Sequence, residues 1–344
     1  MYFKQLYACP RSFSALISTL LSAILICTAL PVLASAKTST NNWYHAEQAI
    51  MGTRISIDLQ HPDPFVANQA IEDVFKLMWD INNEMSNYKP DSLLSIVNQE
   101  AGIRPIKVPE RLFSLLEKSI YFSELSNGAF DITVGTIGQY YDFRLKQKPS
   151  EQQIQNNLDK INYKAIILDN KNKTVRFSNK YVKLDLGGIA KGFAVQKGIE
   201  IIQGHGISNA YLSAGGDSYA IGTKNRKPWF IAIKDPRHDK NNIAIPVSNL
   251  AISTSGDYER FFIEDEKRYH HILNPDTGRS AKKSVSVTVL GSSPTDTDAL
   301  STTLFVLGER DGLKLINKIE GYDAIYVYPD GHASFSNGLI NSAK

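Results

Sequence analysis

Cysteine is nearly absent from this sequence, and no long run of charge of one sign occurs. The 344 residues include two cysteines, Cys9 and Cys27, both near the amino terminus. Thiolate nucleophiles, disulfide frameworks and cysteine-ligated metals are therefore excluded for the rest of the chain. The formal net charge is +3, without any cluster of lysine and arginine. Because nucleic-acid binding needs a basic surface, the sequence predicts no nucleic-acid partner.

The familiar phosphate and zinc motifs are also missing. The chain contains neither G-x-x-x-x-G-K-[ST] nor G-x-G-x-x-G, and no pair of histidines has the spacing H-x₃-H. The first absence excludes a standard P-loop or dinucleotide fingerprint, and the second disfavours zinc. Any phosphate chemistry must therefore depend on other glycine turns and on oxygen ligands.

The amino terminus has the features of a secretory signal. Lys4 and Arg11 precede a long apolar stretch, and the residues Ala34-Ser35-Ala36 form an A-x-A cleavage site. We therefore expect residues 1–36 to be a cleaved signal peptide. Residues 37–344 then form the mature domain, which we expect to be exported and periplasmic.

Two kinds of membrane attachment are alternatives to export in free form. An uncleaved anchor is disfavoured because serine, threonine and proline interrupt the apolar stretch. A lipoprotein anchor at Cys27 is disfavoured because the bulky Ile26 stands where such signals need a small residue. We therefore expect a protein without either anchor.

The periodicity of apolar residues predicts a mixed α+β fold. Alternation within Met51–Leu59 predicts a strand, and Asp63-Pro64 is typical of a helix start. Ser150 and Gln153 form a potential capping box at another helix start. We expect Lys183–Leu186 to end a strand, and most of the remaining chain to form strands. The fold class is therefore α+β, with mixed, largely antiparallel sheets, flanking helices and one compact domain of two lobes.

Two glycine turns could receive an anion. Asp185-Leu186-Gly187-Gly188 lies between the predicted strand and a helix, where free backbone N–H groups suit phosphate. The carbonyl of Gly188 could instead face a hard cation. Gly215-Gly216-Asp217 lies between two strands. Taken alone, each of these sequences is more often an ordinary tight turn.

Two further clusters carry a possible base and possible metal ligands. Of the adjacent His270 and His271, at most one is expected to face a site, because neighbours on a strand point to opposite sides. Asp298 and Thr302 are one helical turn apart and together suit a hard metal ion. We expect Asp298 to be exposed, so that its replacement leaves folding intact. Ordinary packing of the histidines remains the alternative reading.

Eight blocks of sequence, in order, resemble the ApbE family of FAD:protein FMN transferases. The resemblance covers roughly residues 44–338. The blocks are "MGT" (Met51–Thr53), "MSNYKPDSLLSIVN" (Met85–Asn98), "NGAFDITVG" (Asn127–Gly135), "DLGGIAKG" (Asp185–Gly192), "AGGD" (Ala214–Asp217), "STSGDYERFF" (Ser253–Phe262), "HILNPDTG" (His271–Gly278) and "DALSTTLFVLG" (Asp298–Gly308). The resemblance implies an ApbE-like (T-fold-like) domain. It also implies Mg²⁺-dependent cleavage of FAD, with FMN transferred through a phosphodiester to a threonine of a target flavoprotein and AMP released.

The resemblance assigns roles to individual residues. His271 resembles the proposed general base of the family. The implied flavin-nucleotide contacts are Met51, Tyr88, Ala129, Phe130, Asp131, Asp185, Lys191 and Ile272. The implied Mg²⁺ ligands are Gly188, Asp298, Ser301 and Thr302, although Ser301 stands where some members carry another metal-binding aspartate. The implied partners are FAD and flavoprotein subunits of membrane electron-transfer complexes.

Two other activities remain open at this point. An FAD pyrophosphatase would pass the same phosphorus to water instead of threonine, and the sequence does not separate these outcomes. A non-catalytic protein that binds or stores flavin is the third possibility. It predicts that FAD stays intact when Mg²⁺ is added.

Overall fold

An eight-stranded antiparallel sheet is the frame on which the other elements pack. The structure, a computed structural model, describes residues 42–233 and 243–342. The predicted signal peptide, residues 1–36, lies outside this part. The strands are β1 (Trp43–Ile50), β2 (Thr53–Gln60), β3 (Ile106–Lys107), β4 (Ile166–Asp169), β5 (Thr174–Phe177), β6 (Ala210–Ala214), β7 (Asp217–Ile221), β8 (Trp229–Ile233), β9 (Ile243–Val247), β10 (Leu250–Gly256), β11 (Phe261–Glu264), β12 (Lys267–His270), β13 (Leu273–Asn274), β14 (Arg279–Ser280), β15 (Ser286–Gly291), β16 (Asp323–Val327) and β17 (Ala333–Phe335).

Helices cover the sheet and connect its distant strands. They are α1 (Pro64–Met85), α2 (Leu93–Glu100), α3 (Glu110–Leu125), α4 (Gly135–Gly138), α5 (Glu151–Asn157), α6 (Ala190–Gly204), α7 (Pro294–Leu307), α8 (Glu309–Ile316) and α9 (Asn337–Ser342). Short 3₁₀ turns lie at Ile132–Val134, Leu158–Lys160 and Tyr163–Ala165. Among the described residues, no helix is both long enough and apolar enough to span a bilayer.

The order of strands in the large sheet is β1-β2-β6-β7-β10-β15-β16-β17. Throughout the described ranges, every pairing between named strands is antiparallel. Alternating side chains of β2, including Ile55, Ile57 and Leu59, are fully buried beneath the helices. These observations confirm the predicted α+β class with largely antiparallel sheets and flanking helices.

Local capping signals fix several helix boundaries. The Asp63 carboxylate accepts a hydrogen bond from the Phe65 N–H at the start of α1, and a proline occupies the first turn. Ser150 and Gln153 form the predicted capping box at the start of α5. Both predicted helix starts are therefore confirmed.

The strand predicted to end at Lys183–Leu186 is wrong. These residues belong to no strand or sheet. Their backbone instead bonds to side chains: the Lys183 N–H donates to the Thr136 hydroxyl, and the Leu184 N–H donates to the Asn98 amide oxygen. The Asn98 amide donates back to the Leu184 carbonyl at 3.0 Å. Because these side chains satisfy the backbone groups, the segment needs no neighbouring strand.

Candidate functional site

Two buried carboxylates share one ammonium group at the centre of the candidate site. Lys191, in the first turn of α6, places its Nζ 2.5 Å from Asp217 Oδ2 and 3.7 Å from Asp298 Oδ1. Asp217 begins β7 and Asp298 lies on α7, and both are about 98 % buried. Three elements that are distant in sequence therefore bring one ammonium group and two carboxyl groups together.

Burial dominates the electrostatics of Asp298. It raises the pKa of this carboxyl to about 7, and repulsion from Asp217 acts in the same direction. The Lys191 ammonium and the Gly192 N–H, which donates to Asp298 Oδ2 at 2.8 Å, only partly offset the effect. For Lys191, burial disfavours the charged form, but attraction to both carboxylates outweighs it and raises the pKa. The expectation that Asp298 is exposed is wrong, because α6 packs against the face of α7 that carries this residue.

Oxygen donors adjoin Asp298 on the same helix face. The Thr302 hydroxyl, one turn further along α7, faces the backbone of Gly188: a Cβ added to this glycine would lie 3.0 Å from Thr302 Oγ1. Ser255 of β10 lies 3.4 Å from the same hydroxyl. The Ser301 hydroxyl is buried, donates to the Asp298 carbonyl at 2.9 Å and contacts the Ser255 hydroxyl at 2.8 Å. The Ser301 hydroxyl therefore already has two hydrogen-bond partners within the protein.

This donor set fits one hard divalent cation. Asp298 Oδ2 accepts the hydrogen bond from the Gly192 N–H, whereas Oδ1 lies 3.7 Å from the Lys191 ammonium. Thr302 and the close backbone of Gly188 add neutral oxygens, the ligand type that Mg²⁺ prefers. No group of three or more histidine, cysteine or acidic residues with metal-site geometry occurs among the described residues. One carboxylate with neutral oxygens therefore suits Mg²⁺ better than zinc.

The two adjacent histidines have different environments. His270 is buried, and its Nε2 lies 2.7 Å from the Ala281 carbonyl. The His271 side chain is open to solvent, while its backbone N–H donates to the Arg260 carbonyl at 3.1 Å. Desolvation of the ring by the surrounding protein lowers the pKa of His271, and the nearby charges of Arg260 and Lys191 lower it further. A solvent-exposed neutral imidazole can accept a proton. Because His270 is buried and His271 is exposed, the structure is consistent with the prediction that at most one histidine of the pair faces a site.

The turn between β1 and β2 forms a second wall. Met51 and Gly52 both have positive φ, 56° and 70°, as a tight hairpin requires. Gly215 N–H donates to the Arg54 carbonyl, which joins this turn to the glycine turn before Asp217. A cleft of about 380 Å³ opens here, lined by Ala49–Arg54, Trp79 and Asn82. Met51, a predicted flavin contact, therefore lines this cleft and also packs against the edge of the core.

The remaining predicted flavin contacts lie on a neighbouring loop system. Asp131 is buried, and its carboxylate accepts hydrogen bonds from the Thr133 N–H and hydroxyl and from the Tyr163 N–H. Desolvation raises its pKa despite these bonds. Asp185 is partly exposed, accepts from the Gly187 N–H at 2.7 Å, and donates its own N–H to Ile132. Asp185 therefore has solvent access, whereas the Asp131 carboxylate already has three donors.

Other predicted contacts differ in exposure. Ala129 is partly buried, while Phe130 packs edge-on against Phe122 in the core. Tyr88 is 83 % exposed after α1, and the Ile272 side chain is buried. Only Tyr88 and Ala129 of these can therefore present side-chain atoms to a ligand without rearrangement. The flavin contacts of all these residues stay predictions.

A second cleft, of about 260 Å³, adjoins Asp131. Its lining is mostly polar and consists of Asn127, Gly128, Asp131, Ile161–Lys164, Pro275 and Asp276. The "NGAFD" and "NPDTG" blocks of the sequence thus meet at one surface. Sequence reasoning placed the two blocks in one family pattern but did not predict their contact.

Three site residues received no role from the sequence. Asp217 was read as part of a turn, although its carboxylate is the nearest partner of Lys191. Ser255 and Arg260 lie within the "STSGDYERFF" block, but their individual roles had no local signal. The part that these three residues play in the site follows only from their burial and from their distances to other site residues in the folded chain.

Comparison with known proteins gives one consistent result. The ApbE family model matches residues 51–326. A curated FAD:protein FMN transferase of Treponema pallidum is 31% identical over 322 residues, 88% of this chain and 89% of that protein. One from Haemophilus influenzae is 33% identical, covering 72% and 75% of the two chains.

Solved structures agree with the sequence comparison. The crystal structure of an ApbE protein from Thermotoga maritima is similar with a TM-score of 0.79 and 33% identity. The flavin transferase ApbE from Vibrio cholerae has a TM-score of 0.78 and 27% identity. In both comparisons the match covers 87% of this chain and 99% of the other. The resemblance between these chains therefore spans nearly the entire solved domains.

Proposed function

The chain belongs to the ApbE family, and from this membership we propose that it is a Mg²⁺-dependent FAD:protein FMN transferase. It cleaves FAD, attaches FMN through a phosphodiester to a threonine of a target flavoprotein, and releases AMP. The observation that carries the proposal is the cluster around Asp298, a buried carboxylate one helical turn from Thr302. This carboxylate lies 3.7 Å from the Lys191 ammonium, whose charge also acts on the imidazole of His271. The cluster offers a metal position and a base in one site.

The metal ligands come from two elements. Asp298 and Thr302 of α7 and the Gly188 backbone before α6 would hold Mg²⁺, with Ser301 beside them. The ion, when bound, neutralises diphosphate charge and stabilises charge that develops on the leaving oxygen. Lys191 balances the two carboxylates and holds the charge cluster together. Its charge also contributes to the lowered pKa of His271, which desolvation mainly causes.

His271 removes the proton of the acceptor hydroxyl. Because its pKa is lowered, the imidazole is unprotonated at neutral pH and can act as a general base. The threonine oxygen then attacks the phosphorus of the FMN half, the bond to the AMP phosphate breaks, and AMP departs with the bonding electrons. Asp185, Met51, Tyr88, Lys191, Ile272 and Ala129–Asp131 contact the flavin nucleotide in this proposal.

We further propose that the protein acts outside the cytoplasm. The signal-like residues 1–36 support export and a periplasmic location without a lipid anchor. Its targets are then flavoprotein subunits of membrane electron-transfer complexes whose acceptor threonine faces the same compartment. Mass spectrometry of exported proteins with and without this gene would identify the target by an FMN-sized adduct on threonine.

A reaction in vitro tests the proposal directly. Purified protein is incubated with FAD, Mg²⁺ and a candidate acceptor, and both the acceptor mass and the free nucleotides are measured. We expect one FMN on the acceptor for each AMP released. Free FMN with unlabelled acceptor would refute transfer and support a pyrophosphatase. FAD that remains intact with Mg²⁺ would support a flavin-binding protein.

A further inference from the structure

Arg260 is a cation at the rim of the site with no assigned role. It lies between the end of β10 and the start of β11, and its side chain is half-buried. A Cβ added to Gly52 would lie 3.0 Å from Arg260 Nη2. The guanidinium therefore lies directly against the turn that carries Met51, a predicted flavin contact.

The backbone of Arg260 connects it to the proposed base. Its carbonyl accepts the hydrogen bond from the His271 N–H at 3.1 Å. Its guanidinium charge also acts on both His271 and Lys191, and it lowers the pKa of His271. Arg260 thus lies between the flavin-binding turn, the base and the ammonium of the charge cluster.

Within residues 42–233 and 243–342, no carboxylate lies within ion-pairing distance of Arg260. The two site carboxylates are taken by Lys191, and Asp257 lies 3.6 Å from Arg268 instead. A half-buried guanidinium without a carboxylate carries uncompensated positive charge in surroundings that screen it less than water does. An anion brought from outside would supply the missing partner.

Two arginines that are more exposed than Arg260 do pair with carboxylates. Arg310 is 91% exposed and still pairs with Asp311. Arg54, close to the same cleft, is 76% exposed and pairs with Glu47. Arg260 is more buried than either of them, so its lack of a carboxylate is harder to explain as an ordinary surface position. Guanidinium groups suit phosphate because their planar donors can form two parallel hydrogen bonds.

We propose that Arg260 is a catalytic residue that binds the diphosphate of FAD through its guanidinium. This inference rests on the proposed function. As the threonine oxygen bonds to phosphorus, its proton passes to His271, and the bond to the AMP phosphate breaks with its electrons on the leaving oxygen. Arg260 donates hydrogen bonds to the non-bridging phosphate oxygens as their negative charge increases. It therefore contributes both to binding of the diphosphate and to the rate.

Ligands with and without phosphate provide the test. FAD binding is measured with EDTA and with Mg²⁺, alongside riboflavin and adenosine, which carry the two ends of FAD without its phosphates. The variants are Arg260→Gln, Arg260→Lys and the control Arg310→Gln. For Arg260→Gln we expect FAD affinity to fall about 10- to 100-fold, the loss typical of a charged hydrogen-bond donor. The affinities of riboflavin and adenosine should stay the same.

Turnover provides the second readout. Arg260→Gln should lower kcat about 100-fold or more, as removal of a donor to a developing charge does. Arg260→Lys should recover part of the loss, because it restores charge without the paired donors. Arg310→Gln should behave like the wild type. Thermal unfolding of each variant checks that the protein is folded.

Two results would overturn this inference. One is unchanged FAD affinity and turnover in Arg260→Gln. The other is an equal loss of affinity for FAD, riboflavin and adenosine, which would indicate a structural effect. If the wild type binds and cleaves FAD but labels no acceptor, the proposed transfer fails, while the effect of Arg260→Gln on FAD binding still decides the role of Arg260. If the wild type binds no FAD, both conclusions fall.

Discussion

Replacement of Asp298 by asparagine should stabilise the metal-free protein while it removes activity. The carboxyl has a pKa of about 7 in the folded chain, against 3.8 for a free side chain. As pH rises above 3.8, the unfolded chain loses its proton first, so this residue progressively lowers folding stability until about pH 7. The difference between the two values corresponds to about 4 kcal/mol above pH 7.

Asparagine resembles the protonated acid in shape and avoids the cost of ionisation. Its amide oxygen can still accept the Gly192 N–H. In EDTA at pH 8, we therefore expect Asp298→Asn to raise the free energy of unfolding by an amount on the order of 4 kcal/mol. At pH 4.5 the gain should shrink to about 1 kcal/mol, because the folded carboxyl is then protonated and the pH lies only slightly above 3.8, where the unfolded side chain ionises.

Urea unfolding at the two pH values measures this difference. The exposed Asp80 on α1 supplies a control, and Asp80→Asn should change stability little at either pH. Excess Mg²⁺ should stabilise the wild type, by about 2.7 kcal/mol at a hundred times its Kd, and leave Asp298→Asn unaffected. A variant no more stable than the wild type at pH 8, or a gain independent of pH, would refute the role given to burial.

Three further substitutions test the rest of the site. In α6, Gly192→Ala places a Cβ 2.2 Å from the Pro294 carbonyl oxygen and should destabilise the fold by about 2–3 kcal/mol. The control Gly204→Ala, in the same helix, places its Cβ more than 4 Å from any described atom beyond the neighbouring helix backbone and should not destabilise the fold. Thermal unfolding of both variants measures the difference. Lys191→Met leaves two buried carboxylates without a cation and should cost about 3 kcal/mol at pH 8 and less at pH 5, measured by urea unfolding. His271→Ala should slow FMN transfer but keep FAD bound; equal rates in variant and wild type would remove it as the base.

The elements that sequence reasoning predicted correctly are those that depend on neighbouring residues. The start of α1 follows from Asp63, whose side chain bonds two residues ahead. The capping box of α5 likewise involves residues three apart. Strand β2 follows from alternation of Ile55, Ile57 and Leu59. In each case the physical cause lies within one turn or one strand, so the local pattern contains it.

Predictions failed where distant side chains decide the outcome. The apolar spacing of Lys183–Leu186 resembles a strand, but Asn98 and Thr136 take the hydrogen bonds that a neighbouring strand would have taken. Asp298 is expected from the sequence to be an exposed metal ligand that contributes little to core packing. The crossing of α6 over α7 buries it, and that crossing depends on the missing side chain of Gly192.

The glycine-rich segment Asp185–Gly192, which leads into α6, has a clearer role once the packing of α6 against α7 is known. Its sequence suggested a phosphate cradle or an ordinary turn, and the structure adds a reason for each small residue. Gly188 lets the backbone approach Thr302, and Gly192 lets α6 approach α7, which brings Lys191 to Asp298. A larger residue at position 192 would separate the ammonium from the carboxylate. The segment therefore serves the site mainly by bringing α6 and α7 close enough to assemble the charge cluster.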